Sequence, residues 1–295
     1  MDHKGLKDWA LLLTLVALWG SNFMFVKLGV ATVPPATLVA ARLVIGALIL
    51  VAVVRALGYT FPPAGPIWLT YATVAVIGNS LPFLLISWGQ QAIDSALAGI
   101  LMAIMPLTTL VLAHFFVPGE RMTRYRVAGF MLGFAGIVVL MEPAALTGLG
   151  GSGRHVLAQV AVLAGAVCYA AQSVVVRVKL TGNIMVGSAA IIAIAAAISL
   201  PLALAIDQPW RLAPSAASFW AVIWIGIGPT AIATLAFLKL IGSAGPTFMS
   251  MVNYCVPVVA VLLGVALMRE APGANAYAGL VMILSGIALS RLRRR

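Results

Sequence analysis

The chain has little charge, little cysteine and few long polar stretches, and each shortage excludes a class of protein. Only 8% of its 295 residues are charged, against about 25% in soluble domains, so a soluble globular fold does not fit this composition. The two cysteines, Cys168 and Cys255, lie in apolar runs and provide neither a disulfide framework nor the spacing of a metal site. The polar stretches have the length of short loops, which leaves no room for a large soluble domain.

Apolar residues make up 63% of the chain and are concentrated in ten runs. A bilayer core requires about 20 such residues per helix, and slightly fewer where Gly and Pro bends are tolerated. The ten predicted spans are Trp9–Leu28, Pro35–Leu57, Ile67–Trp88, Ser95–Phe116, Val127–Met141, Val156–Val176, Val186–Ile206, Ser218–Leu238, Pro246–Met268 and Ala274–Ser290. We therefore predict an all-α integral membrane protein with ten transmembrane helices.

The second half of the sequence repeats the first at a shift of 150 residues. Trp19 then lies over Tyr169 and Glu120 over Glu270, and one further residue of shift brings Pro106 over Pro257. Each half holds five spans, an odd number, so the second half must enter the membrane in the opposite direction. The prediction is one membrane domain built from two inverted five-helix repeats, residues 1–146 and 147–295.

The distribution of Lys and Arg predicts the orientation. With the N-terminus in the cytoplasm, the cytoplasmic side holds thirteen of these residues and the outer side four, as the positive-inside rule requires. We therefore expect both termini in the cytoplasm. The same excess accounts for the net charge of +11, which we attribute to topology and anionic lipid rather than to nucleic acid.

Polar side chains inside several spans need a reason, because lipid offers them no hydrogen bonds. Asn22 and Gln172 are matched by the shift of 150 residues, as are Trp19 and Tyr169. The alternative for any one of these side chains is helix packing, since an interhelical hydrogen bond contributes about 0.6 kcal/mol. The predicted substrate-binding set, which includes a methionine because such surfaces adapt to varied ligands, is Trp19, Asn22, Asn79, Ser80, Met102, Tyr169, Gln172, Thr230, Asn253 and Tyr254.

Gly and Pro interrupt corresponding spans of the two halves. The third span contains Gly78 and Pro82, and the eighth contains Gly228 and Pro229. Interrupted helices at matched positions are typical of transporter binding sites, because freed backbone groups can contact substrate. Simple bends for packing are the alternative. The predicted hinge or gate residues are Gly78, Pro82, Pro106, Gly228, Pro229 and Pro257.

Arg42 is the one clear charge inside a span, and its equivalent in the second half is Ile192. It could hold a substrate carboxylate, or it could bind helix-end carbonyls or extend to the outer surface. The residues alone favour a structural role. Because no Asp or Glu lies deep in a span, a buried proton carrier is not evident, which favours facilitated diffusion or exchange over tight proton coupling.

These features resemble the drug/metabolite transporter superfamily, EamA-type branch, over nearly the whole chain. The resemblance rests on the ten helices in two inverted repeats, on Trp19 to Phe23, on Arg42 after Pro35, and on the late prolines followed by Glu120 and Glu270. Within that branch the chain looks like the YddG-type amino-acid exporters. The resemblance implies a central cavity lined by the first, third, fourth, sixth, eighth and ninth helices. Many members have Glu before the mid-helix proline, where this chain has Met105 and Val256, so a coupling role of that Glu does not carry over.

We therefore interpret the chain as an inner (plasma) membrane transporter that exports small amphipathic metabolites, foremost amino acids including aromatic ones, by alternating access. A neutral, polar cavity suits a zwitterion, with Trp19, Tyr169 and Met102 against its side chain. Cationic drugs, sugar phosphates or nucleotide sugars are alternative cargoes, although anionic cargo should require two or more basic residues.

An enzyme is a remote alternative, because no cluster of nucleophile, base or metal ligands is evident. We expect no cofactor and no metal. The expected partners are the substrate and the lipid bilayer, without nucleic acid. The oligomeric state is left open, and a monomer is compatible with the sequence.

Overall fold

The computed structural model describes residues 5–141 and 153–292, except for the side chains of Pro246 and Thr247. These residues form helices joined by short turns, and no strand occurs among them. The helices are α1 (Leu6–Val30), α2 (Pro35–Ala56), α3 (Ile67–Gly89), α4 (Ser95–Phe116), α5 (Arg124–Leu140), α6 (Gly153–Lys179), α7 (Ile184–Ile206), α8 (Ala216–Gly245), α9 (Val252–Met268) and α10 (Ala274–Ser290).

Seven of the described helices are long and apolar enough to cross a membrane, by length and composition: α1 to α4 and α6 to α8. The helices α5, α9 and α10 have 17 residues each, which is less than the roughly 20 that a bilayer core requires. Apolar residues are also exposed on the outer faces of the helices, for example Leu13 at 61% and Leu262 at 60%. The fold is thus all-α and suited to a lipid environment.

Proline and polar side chains fix where several helices begin. Pro35 stands in the first turn of α2, where its missing N–H is not needed. The Asn183 side chain accepts hydrogen bonds from the first amides of α7, and Ser215 does the same for α8. Such caps satisfy amides that the helix itself leaves without an acceptor.

Two pairs of helices pack along each other at close range. The helices α2 and α7 share one apolar core that includes Leu43 and Ile192. The helices α5 and α10 meet through glycine: a Cβ built on Gly136 would lie 2.9 Å from the Gly279 carbonyl oxygen, and one built on Gly279 would lie 2.8 Å from the Gly136 oxygen. A side chain at either position would push the two backbones apart.

The predicted boundary between the eighth and ninth spans is correct only in part. The eighth span was expected to end at Leu238, but α8 continues to Gly245, whose φ of 80° breaks the helix. The ninth was expected to begin at Pro246. Helical backbone does resume there, directly after Gly245, but it ends at Met249, and a turn at Ser250 and Met251 separates it from α9. Hydropathy does not report such backbone breaks. The predicted boundary between residues 146 and 147 lies outside the described residues.

Candidate functional site

Two π turns interrupt helices where the sequence predicts breaks. The first is Val76–Ser80 in α3 and the second is Gly226–Ile232 in α8, so they begin 150 residues apart. Pro82 follows the first turn, and Pro229 lies inside the second. Such turns leave the regular hydrogen-bond pattern and frequently occur at functional sites. The predicted interruptions are confirmed, whereas their role as hinges or gates stays a prediction.

Side chains of α1 and α6 contact these turns. A Cβ built on Gly78 would lie 2.6 Å from Cδ of Gln172, so glycine is required for this close approach. The indole Nε1 of Trp19 donates to the Pro229 carbonyl oxygen at 3.3 Å, and Gly228 is buried in the same turn. Each interruption therefore packs against a residue that the sequence analysis assigned to the site.

Arg42 connects four helices at the level of the second turn. Its Nε and Nη2 donate to Thr230 Oγ1 at 3.2 and 3.1 Å, and Nη2 also donates to Asn22 Oδ1 at 3.2 Å. The Thr230 hydroxyl in turn donates to the Ile225 carbonyl oxygen at 2.7 Å. The guanidinium carbon lies 3.8 Å from the centre of the Phe83 ring. Residues of α1, α2, α3 and α8 thus meet around one cation.

Neither of the two structural contacts considered for Arg42 is present, and its role, structural or carboxylate-binding, stays a prediction. Its acceptors are the side chains of Asn22 and Thr230 rather than helix-end carbonyls, and its exposed fraction of 3% excludes an extension to the surface. Phe83 was missed in the sequence analysis, although its place beside Pro82 in the interruption was a usable signal. The Phe83 ring also packs edge to face on Tyr169, with ring centres 6.3 Å apart, which links Arg42 to α6.

Three amide side chains from the predicted set have no hydrogen-bond partner among the described residues. They are Asn79, which is only 8% exposed, and the half-buried Gln172 and Asn253. An amide without a protein partner keeps its donor and its acceptor for another molecule, so these three side chains are candidates for contact with a substrate.

The other predicted residues lie in different surroundings. Ser80 donates to the Ala195 carbonyl oxygen at 3.3 Å and accepts from Ser199 at 3.0 Å, both on α7. It borders an apolar cavity of about 170 Å³ between α2, α3 and α7. The contacts of Ser80 are therefore on α7, and none of its hydrogen bonds reaches Arg42 or its partners.

The predicted residues of α4 and α9 lie around breaks in those helices. Met102 ends the first segment of α4, and Pro106 opens the second segment, Met105–Phe116. Tyr254 is covered by Arg291, whose guanidinium carbon lies 4.8 Å from the ring centre. Pro257 lies inside α9. Met102, Tyr169 and Tyr254 are partly buried against the same apolar cluster.

Charged side chains at helix ends have local partners. Glu270 accepts from the amide and hydroxyl of Ser95 and from the amide of Ala96, at 2.7–2.8 Å, and so caps α4. Glu120 pairs with Arg126 at 2.9 Å and with Arg177 at 3.0 Å. The hydrogen bond from Arg126 lowers the pKa of Glu120, with a further contribution from Arg177. Among residues 5–141 and 153–292 no cluster of three or more His, Cys, Asp or Glu is suited to a metal ion.

Comparison with known proteins defines the class of this chain. The family model for EamA-like transporters matches residues 8–142 and again residues 156–292, which together are most of the chain. The chain therefore belongs to the EamA-like transporter family, within the drug/metabolite transporter superfamily. Membership in this family indicates a transporter rather than an enzyme.

Several known transporters are similar to this chain over two thirds of their length or more. The chain is 27% identical to the uncharacterized inner membrane transporter YedA of Escherichia coli (strain K12), over 95% of this chain and 89% of that protein. It is 27% identical to a probable terminal-alkyne amino-acid exporter of Streptantibioticus cattleyicolor, over 97% and 93%. It is 30% identical to the aromatic amino acid exporter YddG of Ancylobacter novellus, over 67% of each chain. One solved crystal structure shares the fold, with a TM-score of 0.68 at 24% identity over 96% of both chains.

Proposed function

We propose that the protein exports small amphipathic metabolites, foremost amino acids including aromatic ones, by alternating access with facilitated diffusion or exchange. The observation that carries the proposal is the set of amides without partners among the described residues, Asn79, Gln172 and Asn253, of which Asn79 lies in the first π turn and Gln172 packs against it. Amide groups bind both the ammonium and the carboxylate of a zwitterion, because each amide has a donor and an acceptor. The names of two relatives, both amino-acid exporters, support this substrate class.

Within the proposed site the polar and apolar groups have different tasks. Asn22, Asn79, Gln172 and Asn253 bind the head group of the substrate, while Trp19, Tyr169 and Met102 contact its side chain. The aromatic contact between Phe83 and Tyr169 extends the apolar part of this surface. An arrangement of few polar groups beside aromatic walls is typical of small-molecule sites.

The proposed architecture has ten spans in two inverted five-helix repeats, residues 1–146 and 147–295. The double match of the family model supports the duplication. The contacts between α5 and α10 support the inversion: Gly129 meets Gly286 and Gly136 meets Gly279, and a shift of 150 residues exchanges the two contacts. Antiparallel helices related by a two-fold axis make such exchanged contacts.

In the proposed orientation the protein lies in the inner membrane with both termini in the cytoplasm, which places a contact between α4 and α9 at the outer end. The first segment of α4 packs on α9 there, with Gly99 against Ala260 and Ala96 3.1 Å from a Cβ built on Gly264. The cap of Glu270 on Ser95 reinforces this contact. Opening the outer end would require these contacts to separate, with the π turns and helix breaks as hinges.

The test is counterflow in proteoliposomes loaded with unlabelled amino acids. Labelled phenylalanine, methionine and threonine are offered outside, with and without a pH gradient. We expect uptake that does not depend on the gradient, and a reduction of at least about tenfold for Asn22→Leu and Gln172→Leu, since each removes a polar contact worth about 1.5 kcal/mol or more.

Gln91→Leu is the matched control, because Gln91 is exposed beyond the end of α3. Unchanged flux in folded Asn22→Leu and Gln172→Leu would reject the site. No uptake of any amino acid by folded wild-type protein would reject the substrate class.

A further inference from the structure

Arg42 is a buried cation without an anion among the described residues. The two salt bridges of the described chain belong to Glu120. Glu270 caps α4, Asp207 accepts from the amide and hydroxyl of Thr37, and Asp8 accepts from Ser243. Asp94, the remaining described acid, is exposed in the turn before α4. A buried charge normally requires a partner of opposite sign, because desolvation is costly.

Lys27 is a cation that the same chain stabilises with backbone carbonyl groups, without an anion. Its Nζ donates to the carbonyl oxygens of Gln90 and Ile93 at 3.0 and 2.8 Å, just beyond the C-terminal end of α3. Carbonyl groups there carry partial negative charge and stabilise an ammonium group. Arg42 has no such position: it lies seven residues into α2, about 10 Å from the helix end, and its acceptors are a neutral hydroxyl and a neutral amide.

The hydrogen bonds of Arg42 leave one end of the guanidinium available. Nε and Nη2 are held by Thr230 and Asn22, whereas Nη1 has no acceptor among the described residues. Phe83 covers one face of the guanidinium plane, so an acceptor approaches in the plane, at Nη1. A carboxylate can accept the hydrogen bonds that Nη1 still offers, and the opposite charges make that contact stronger than one with a neutral acceptor.

We propose that Arg42 binds the carboxylate of the transported molecule, with Asn22 and Thr230 fixing the orientation of the guanidinium and Phe83 positioning its plane. The inference rests on the proposed function and narrows it, since the cargo must carry a carboxylate group. The free amides of Asn79 and Gln172 are then available for the ammonium group. A single cation balances the single charge of a carboxylate. Sugar phosphates and nucleotide sugars carry more negative charge, which would require further basic residues, so this site favours a carboxylate cargo.

The first experiment compares competitors of labelled phenylalanine in the counterflow assay with the wild-type protein. The competitors are phenylalanine, phenylalaninamide, phenylethylamine and 3-phenylpropionate. We expect phenylalanine to compete at least about tenfold better than phenylalaninamide, and 3-phenylpropionate at least about tenfold better than phenylethylamine, because a site built for a polar group rejects analogues that lack it. Phenylalaninamide competing as well as phenylalanine would overturn the inference.

The second experiment uses Arg42→Gln, with Arg55→Gln near the end of the same helix as the matched control. We expect Arg42→Gln to remove the preference for the acid over the amide, and Arg55→Gln to keep it. A structural role would instead lower transport of every compound equally and leave the ratio of acid to amide unchanged, which would overturn the inference. If Arg42→Gln does not fold, Thr230→Val provides the test: we expect it to reduce the ratio, because it removes the acceptor of Nε and Nη2.

A binding measurement separates this inference from the proposed function. The unfolding temperature of the purified protein is measured with 3-phenylpropionate and with its amide. If no amino acid is transported but the acid stabilises the protein, and Arg42→Gln or Thr230→Val removes that effect, the carboxylate site stands and amino-acid export fails. If amino acids are transported but the acid and the amide stabilise the protein equally, export stands and the carboxylate site fails. No stabilisation by the acid together with no transport rejects both.

Discussion

The π turn of α3 and the π turn of α8 begin 150 residues apart, yet the hydroxyl groups in them have different partners. Ser80 in the first turn interacts with Ala195 and Ser199 on α7, without a charge. Thr230, its equivalent in the second turn, accepts two hydrogen bonds from Arg42 on α2. The backbone irregularity is thus repeated, whereas among the described residues the hydrogen bonds of the buried cation reach the second turn and not the first. We infer that symmetry serves the movement of the helices and that asymmetry serves the recognition of the substrate.

A second pair of equivalent residues differs in the same way. Glu270 caps the start of α4, whereas Glu120 pairs with Arg126 and Arg177 near the opposite ends of the helices. In the first case the carboxylate joins segments 174 and 175 residues apart through backbone amides. In the second it joins flexible, partly exposed side chains. We therefore expect the contact of Glu270 to stabilise the protein more than the contact of Glu120 does.

The largest expected effect tests the proposed two-fold relation between the halves, at the glycine contacts between α5 and α10. Gly129→Ala places a Cβ against the backbone of Gly286 in the contact between α5 and α10. Gly279→Ala places one against the backbone of Gly136 in the same contact. Helix propensity alone favours alanine by about 1 kcal/mol, so a loss of stability must come from the contact. We expect both variants to lose about 1–3 kcal/mol, measured by thermal unfolding in detergent.

Gly242→Ala is the control for these two variants, because nothing lies within 4 Å of a Cβ built there. It should be neutral or slightly stabilising. If one of Gly129→Ala and Gly279→Ala is harmless while the other unfolds the protein, the two contacts are not equivalent, and the proposed two-fold relation between the halves fails.

An intermediate effect is expected for the two acids. Glu270→Gln keeps one acceptor where the carboxylate accepts three hydrogen bonds, so we expect a loss of about 1–2 kcal/mol. Glu120→Gln removes ion pairs that are partly exposed, which are worth about 0–1 kcal/mol. Thermal unfolding of the two variants under the same conditions measures the difference. Equal losses would contradict the expectation that the Glu270 contact is the stronger of the two.

The helices could be predicted well from hydropathy because lipid enforces long apolar runs. The bounds Ser95–Phe116 and Ala274–Ser290 agree with the structure at both ends. The end of α8 could not be predicted in this way: the exposed Lys239 is tolerated on its surface, and the break depends on the backbone angles of Gly245. Composition reports burial in lipid, whereas the end of a helix depends on local geometry.

The candidate site could be predicted only in part for a similar reason. The matched interruptions follow from the positions of Gly78 and Gly228 in the sequence. The partners of Arg42 do not, because Asn22, Phe83 and Thr230 come from three other helices and meet only after packing. Spacing along the chain contains no information about such a meeting, which is why the sequence favoured a structural role for this cation.

The smallest expected effect concerns the pH dependence of the Glu120 contact. The hydrogen bond from Arg126 lowers the pKa of Glu120 in the folded protein, so the unfolded chain binds the proton at higher pH than the folded one. The stabilisation is therefore complete above the unfolded pKa of about 4.3 and disappears as the pH falls through the lower, folded value. We expect the free energy of unfolding of the wild-type protein to exceed that of Glu120→Gln at pH 7 by a few tenths of a kcal/mol, because the pair is partly exposed. This difference, or gap, should disappear in acid. Thermal unfolding of both proteins across this pH range measures the gap, and a gap that persists in strong acid would show that Glu120 stabilises its loop without its charge.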